Sequence, residues 1–319
     1  MGNGGGQEET KKAGQWEERY RKYRSAVFAI AYRMLGSAAD AEDVVQDVFL
    51  SVPDARPEGA DDPIRHEKAY LSRMAVNRCL NLLNSSARKR ETYVGPWLPE
   101  PLVRSEDDLP EEAAERGEAV SYAFMVMLEK LGPLERAVFV LRETLGYDYE
   151  AIAGLVGKSE ANCRQIYSRA KRKLGDGAPV REPLGLEKQR SLARRFAESF
   201  REGRTQELVR LLASDAVLMT DGGGKVRAAI NPIYGRDRGL ALLAAMAKGS
   251  MKGARFEEVA FGGGIGLAAW QGDRLHAVIS FDWSGEDEPL RNLFTIFNPD
   301  KLARIRPRLA GEEVVKDRT

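Results

Sequence analysis

Arg164 and Gln165 sit side by side, and both side chains can read a DNA base edge through two hydrogen bonds at once. An arginine fork matches O6 and N7 of guanine, and a glutamine amide matches N6 and N7 of adenine. Lys158, Arg169, Lys171 and Arg172 around them suit phosphate oxygens, and Asn162 and Ser168 add polar reach. From Lys158 to Lys173 six basic residues are opposed only by Glu160, a net charge of +5. A solvated basic face is the plainer reading of such a run. A second basic stretch, Arg65 to Glu91, is also net +5. There Tyr70, Asn77 and Asn81 are interleaved with Arg73, Arg78, Arg88 and Lys89. Tyr70 also fits an apolar stripe. Other chemistry is sparse. His276, Asp282 and Trp270 remain, but His276 and Asp282 are six apart on one strand, with no nucleophile or metal set beside them. The run Asp221, Gly222, Gly223, Gly224, Lys225 lacks P-loop spacing, and Val226 stands where a magnesium-holding Ser or Thr would be. A glycine turn after a strand is the better reading.

The elements that must position these residues follow from periodicity. Apolar spacing from Trp16 through Met34 predicts a helix stopped by Gly36. A second helix from Ala38 turns Val44, Val45, Val48 and Phe49 inward and Asp40, Glu42, Asp43, Gln46 and Asp47 outward. A third runs from about Glu67 to Arg90, with Tyr70, Leu71, Met74, Leu80 and Leu83 apolar. Tyr149–Val156, the turn Gly157-Lys158 and a helix capped by Ser159 have the grammar of a helix-turn-helix. In its second helix Cys163, Tyr167, Ala170 and Leu174 share one face, which puts Cys163 inside. Between the helical modules, Trp97-Leu98-Pro99-Glu100-Pro101 must be extended. From Glu100 to Glu118 the charge is net −6. A tryptophan among prolines is expected to dock on a protein surface, the C-terminal domain first. Beyond Pro183 the pattern becomes mixed. Helices are expected at Glu187–Glu202, Thr205–Ala213 and Gly235–Lys248, and strands at Ala216–Thr220, Arg255–Phe261, Gly266–Trp270, Leu275–Trp283 and Leu290–Phe297. Turns at Gln271-Gly272-Asp273 and Ser284-Gly285-Glu286 suggest an antiparallel curved sheet.

The chain has 319 residues, 43% hydrophobic and 30% charged, and its 49 basic and 48 acidic residues leave a formal charge of +1. That total excludes a disordered polyelectrolyte and hides the local imbalances. Two cysteines and two histidines are too few for a zinc site or a disulfide framework, so no metal, no cofactor and a reducing cytoplasm are expected. No run is long enough to span a membrane.

The order of parts resembles a bacterial sigma factor of the extracytoplasmic-function (ECF) type. The residues that carry the resemblance are Asp40 to Phe49, Ala69 to Arg78, and Leu131 to Arg136 leading into the helix-turn-helix. Trp97 to Pro101, Asp221 to Lys225, and Asn298-Pro299-Asp300-Lys301-Leu302 look like three signatures of the SigJ-like subgroup, whose members append a SnoaL-like domain. The resemblance implies two all-α sigma modules and a C-terminal α+β, cone-shaped, curved-sheet domain. Its divisions would be a disordered tail at 1–15, region 2 at 16–93, an acidic linker at 94–118, region 4 at 119–177, a linker at 178–187, the regulatory domain at 188–306 and a tail at 307–319.

The resemblance implies that Asp40, Glu42, Asp43, Gln46 and Asp47 dock on core RNA polymerase, with Asp43, Gln46 and Asp47 central. Tyr70, Arg73, Asn77, Arg78, Asn81, Arg88 and Lys89 would meet the minus-ten element. Lys158, Glu160, Asn162, Arg164, Gln165, Ser168, Arg169, Lys171 and Arg172 would meet the minus-thirty-five element. The C-terminal domain would regulate in place of a separate anti-sigma factor, through contact with the sigma modules or the linker, and its pocket could take a small ligand. The alternatives are a stand-alone ligand-responsive helix-turn-helix regulator and, more remotely, an enzyme with a DNA-binding appendage.

Overall fold

The computed structural model describes residues 5–51, 67–104, 121–175, 184–283 and 289–305. The chain divides into two compact units, residues 1–92 with 110–182 and residues 93–109 with 183–319.

The first unit is helical. Helix α1 (Gly5–Leu35) starts well before Trp16, because Gln7 to Ala13 favour helix without contributing an apolar stripe. Ser37 caps α2 (Ala38–Leu50) by accepting from the Asp40 amide at 3.2 Å. Helix α3 spans Glu67–Glu91, α4 Tyr122–Leu128 and α5 Pro133–Glu143, the last with proline in its first turn. Helix α6 (Tyr149–Val156) is capped by Asp148, which accepts from the Ala151 amide at 2.8 Å, and ends on left-handed Gly157. Ser159 then opens α7 (Glu160–Leu174), completing the expected helix-turn-helix.

These helices share an apolar core in which α1, α2 and α3 meet α5, α6 and α7: Ile30, Met34, Val44, Leu71, Val138, Leu141 and Ile152 belong to one buried cluster. Polar ties cross it as well. The Ser72 and Tyr147 hydroxyls are 3.0 Å apart, and buried Arg136 donates to the Met34 carbonyl at 2.8 Å while pairing with Glu129 at 2.7 Å. Arg33, only 3% exposed, leaves Nη1 without a hydrogen-bond partner, and burial lowers its guanidinium to about 10.

The second unit is a seven-stranded sheet in the order β1-β4-β5-β6-β7-β2-β3, with β1 at Val103–Arg104, β2 at Leu212–Asp221, β3 at Ile233–Tyr234, β4 at Arg255–Phe261, β5 at Gly264–Gln271, β6 at Arg274–Trp283 and β7 at Leu290–Ile296. Helices α8 (Leu186–Glu202), α9 (Thr205–Leu211) and α10 (Arg236–Lys248) pack on it through Phe196, Phe200, Leu208, Leu211, Leu243 and Met246, and a short α11 spans Pro299–Leu302. Gly239 lets α10 lie close, since a Cβ there would stand 2.8 Å from Leu218 Cδ1. This is the expected α+β curved-sheet domain. It departs from a purely antiparallel sheet at one seam, where β2 pairs parallel with β7, Leu218 opposite Leu293. Strand β2 is also longer than expected, because Leu212 and Ala213 continue it out of α9. The turn expected at Ser284 to Glu286 lies outside the described residues. Strand β1 comes from the segment preceding the helix-turn-helix module and pairs with β4, Val103 opposite Phe261.

Candidate functional sites

Helix α7 presents Arg164, Gln165, Ser168, Arg169, Lys171 and Arg172 to solvent, with Lys158 exposed in the turn before it. Cys163, Ile166, Ala170 and Leu174 form its buried face. Ile166 was not among the residues periodicity selected; Tyr167 took its place, and it is half-buried and stacked 5.8 Å from Phe139. Glu160 and Asn162 are partly buried. Glu160 pairs with Arg164 at 2.7 Å, and the Asn162 amide is held by the Ser159 cap. Arg164 also lies over the Tyr149 ring at 5.1 Å. The guanidinium is thus preset by Glu160 on its own helix and Tyr149 on α6, while Arg164 stays exposed.

On α3, Tyr70, Arg73, Asn77 and Asn81 recur at i, i+3, i+7 and i+11 and are all exposed, a polar row along one helix face. Tyr70 is 39% exposed, which corrects its place in the apolar stripe. The buried face is one step round, at Leu71, Ala75, Val76, Cys79 and Leu83, because small Ala75 and Cys79 carry no strong hydrophobic signal. The side chains of Arg88 and Lys89 lie outside the described residues.

On α2, Asp40, Asp43, Gln46 and Asp47 are exposed, while Glu42 is partly buried and takes two hydrogen bonds from Arg24, at 2.8 and 3.1 Å. Arg78 on α3 reaches across to Asp47 at 3.4 Å and to the Ser51 hydroxyl at 3.2 Å. One ion pair therefore links the acidic face of α2 to the basic side of α3.

The three short motifs converge within the second unit. Asp221, the last residue of β2, is fully buried. Its Oδ1 accepts from the Tyr93 hydroxyl at 2.6 Å and the Gly223 amide at 3.0 Å, and its Oδ2 accepts from the Leu98 amide at 2.9 Å and Lys301 Nζ at 2.7 Å. Two donors thus reach each of its oxygens. Lys301 also donates to the Leu98 carbonyl and lies over the Trp97 ring at 4.0 Å and the Tyr93 ring at 5.2 Å. Asn298 donates to the Tyr93 hydroxyl at 2.9 Å and caps α11 through the Asp300 amide. Burial first, then the Asp221 carboxylate, pushes the Tyr93 phenol well above its ordinary value, so it remains a donor.

The glycines of the loop are dictated by these neighbours. A Cβ on Gly222 would stand 2.1 Å from the Val226 carbonyl oxygen, and one on Gly223 would stand 2.3 Å from Asn298 Nδ2. Gly223 and Gly224 also take positive φ. Lys225 pairs with Asp300. Leu98, Pro99, Glu100, Pro101 and Leu302 are buried, and Glu100 lies 4.0 Å from Arg304. Tyr93 had not been singled out from the sequence, although an aromatic four residues before Trp97 was the signal available.

His276, Asp282 and Trp270 each have different neighbours. His276 packs against Phe297, its Nε2 has no hydrogen-bond partner, and burial followed by Arg274 lowers its pKa. Asp282 accepts from Asn292 at 2.5 Å, and Arg255 lies over the Trp270 ring. Among the described residues no group of three His, Cys, Asp or Glu could hold a metal, and no helix is long and apolar enough to cross a membrane.

Residues 19–89 match the family described as Sigma-70 region 2, and residues 121–174 match Sigma-70, region 4. The ECF RNA polymerase sigma factor SigJ of Mycobacterium tuberculosis is 33% identical over 229 residues, 69% of each chain. The probable ECF RNA polymerase sigma factor SigI of the same species is 32% identical over 197 residues, 60% of this chain and 65% of that one. The crystal structure of M. tuberculosis SigJ superposes with a TM-score of 0.69 at 25% identity, covering 90% of this chain and 98% of the other. The match extends through the C-terminal domain.

Proposed function

The chain belongs to the ECF RNA polymerase sigma factors, which direct core polymerase to promoters, and we propose that its C-terminal domain governs this activity by gripping the linker between the two promoter-reading modules. The buried Asp221 hub carries this reading. It joins Tyr93, at the end of region 2, and the linker residue Leu98 to Lys301 through one carboxylate. A linker held there cannot also run freely between two separated modules. The control is thus built into the chain, in the place of a dissociable anti-sigma protein, and the setting is cytoplasmic.

In this reading Asp43, Gln46 and Asp47 dock on the polymerase. Tyr70, Arg73, Asn77 and Asn81 hold opened minus-ten bases, and Arg164 and Gln165 read the minus-thirty-five element, with Lys158, Arg169, Lys171 and Arg172 on phosphates. The shared helical core supports a closed resting form. The two elements lie roughly 25 base pairs apart, about 85 Å along B-DNA at ~3.4 Å per step. Placed end to end, α3, α6 and α7 would reach about 70 Å at ~1.5 Å per residue, and in the fold α6 lies against α3. The modules must part before both can be read at once, and the gripped linker sets when they do.

Transcription with purified core polymerase tests this reading. Promoter-specific initiation should require the protein, Arg164→Ala should weaken it by about 1–3 kcal/mol equivalent at one promoter position, and Asp221→Ala should change initiation from the same promoter. No promoter-specific initiation would end the proposal for the whole chain. Unchanged output from Asp221→Ala would end the role given to the C-terminal domain.

A further inference from the structure

Leu50 ends the polar face of α2. Asp43, Gln46, Asp47 and Leu50 fall at i, i+3, i+4 and i+7, so they form one stripe, and Leu50 is 79% exposed, above every other exposed large hydrophobic among the described residues. Its neighbours Val48 and Phe49 are buried, so the core has no place for it.

The turn that carries Leu50 is held in place. The Ser51 amide donates to the carbonyls of Asp47 at 3.1 Å and Val48 at 3.3 Å, the Ser51 hydroxyl donates to the Asp47 carbonyl at 2.7 Å, and Arg78 ties Ser51 and Asp47 to α3. An exposed apolar side chain on a firmly held turn, rimmed by charges, has the anatomy of an interface anchor, because the backbone that carries it needs no further ordering when it is buried.

We infer that Leu50 is the apolar anchor by which α2 seats on core RNA polymerase. The inference rests on the reading of α2 as the docking helix. The polymerase surface it fits is basic opposite Asp43 and Asp47, with an apolar recess one helical turn further on. The carboxylates then supply steering and register, and Leu50 supplies most of the residence time.

The test is binding of the full chain to purified core polymerase at low and high salt. Leu50→Ala and Leu50→Gln should each weaken binding roughly ten- to hundred-fold at both salts, since what is lost is apolar burial, whereas Leu50→Met should stay within a few-fold. Asp43→Ala should lose affinity mainly at low salt. Thermal unfolding of the Leu50 variants should match the parent, because the side chain contributes little to the fold. Binding within two-fold of the parent in Leu50→Ala and Leu50→Gln overturns the inference while leaving the docking helix intact if Asp43→Ala still weakens binding. If Asp43→Ala and Asp47→Ala also bind as the parent does, the reading of α2 itself falls, and the inference with it.

Discussion

The two units join distant stretches of chain by opposite means. In the helical unit, α1 to α3 meet α5 to α7 through an apolar cluster, with polar ties such as Ser72 to Tyr147 and Arg136 to Met34. In the other unit, residues 93–101 are joined to Lys301 and Asn298 around one buried carboxylate. Apolar contact is non-directional, so its strength scales with area and it can be undone gradually. A buried carboxylate with four donors behaves differently, since removing any part orphans the rest. Under the proposed function the first kind of joint suits modules that must separate on polymerase, and the second suits a grip that must hold until it is released as a whole.

The largest expected effect is at the carboxylate. Asp221→Ala leaves the Lys301 ammonium and the Leu98 amide buried without their acceptor, at a cost of about 3–5 kcal/mol. Hydrogen exchange over Tyr93 to Arg104 should accelerate by two to three orders of magnitude, on the order expected for that loss. Equal protection in parent and variant would dissolve the contrast between the two joints.

In the helical unit, Ile152→Ala should cost about 2–5 kcal/mol. Because Ile152 belongs to the cluster shared by both modules, denaturant unfolding should show the two modules melting together at a lower midpoint. Separate melting, with region 2 unaffected, would show that the shared core is not cooperative.

Arg33→Met should act in the other direction and stabilise the unit by about 1–3 kcal/mol, since an incompletely paired buried charge is replaced by an apolar side chain. The pH dependence gives a second readout. Burial lowers the Arg33 guanidinium to about 10 from 12.5, so the unfolded chain holds the proton more tightly. Folding therefore carries a penalty below pH 10 that is relieved as pH rises above 10, and Arg33→Met should abolish that alkaline gain.

The smallest effect belongs to the hydroxyl tie. A double-mutant cycle of Ser72→Ala and Tyr147→Phe should return a coupling of about 0.5–1.5 kcal/mol. A coupling near zero would remove the hydroxyl pair from the joint and leave the Arg136 tie to the Met34 carbonyl beside the apolar cluster, which sharpens the contrast.

Elements with strong periodicity were legible in the sequence almost to the residue. Arg255–Phe261 is a strand as expected, and the helix-turn-helix boundaries follow from Asp148, Gly157 and Ser159, whose caps are local chemistry. Features set by partners far along the chain were not. The parallel seam between β2 and β7, the strand made by Val103 and Arg104, and the membership of Tyr93 in the Asp221 hub depend on residues about 70 to 205 positions away, and no local pattern reports them. Alternation also misplaced Tyr70, because a stripe completed by Ala75 and Cys79 is fainter than one completed by an aromatic. The three motifs were visible as unusual strings, whereas their convergence on one carboxylate became visible only in three dimensions.

The span between Tyr93 and Asn298, 205 residues, has a consequence in time. A ribosome adding ~5–20 residues per second makes Tyr93 roughly 10–40 s before Asn298. During that interval the helical modules and Asp221 have been synthesised while Asn298 and Lys301 are still missing, so the nascent chain passes through a form whose hub is incomplete. A message truncated before codon 298 would fix the protein permanently in that form.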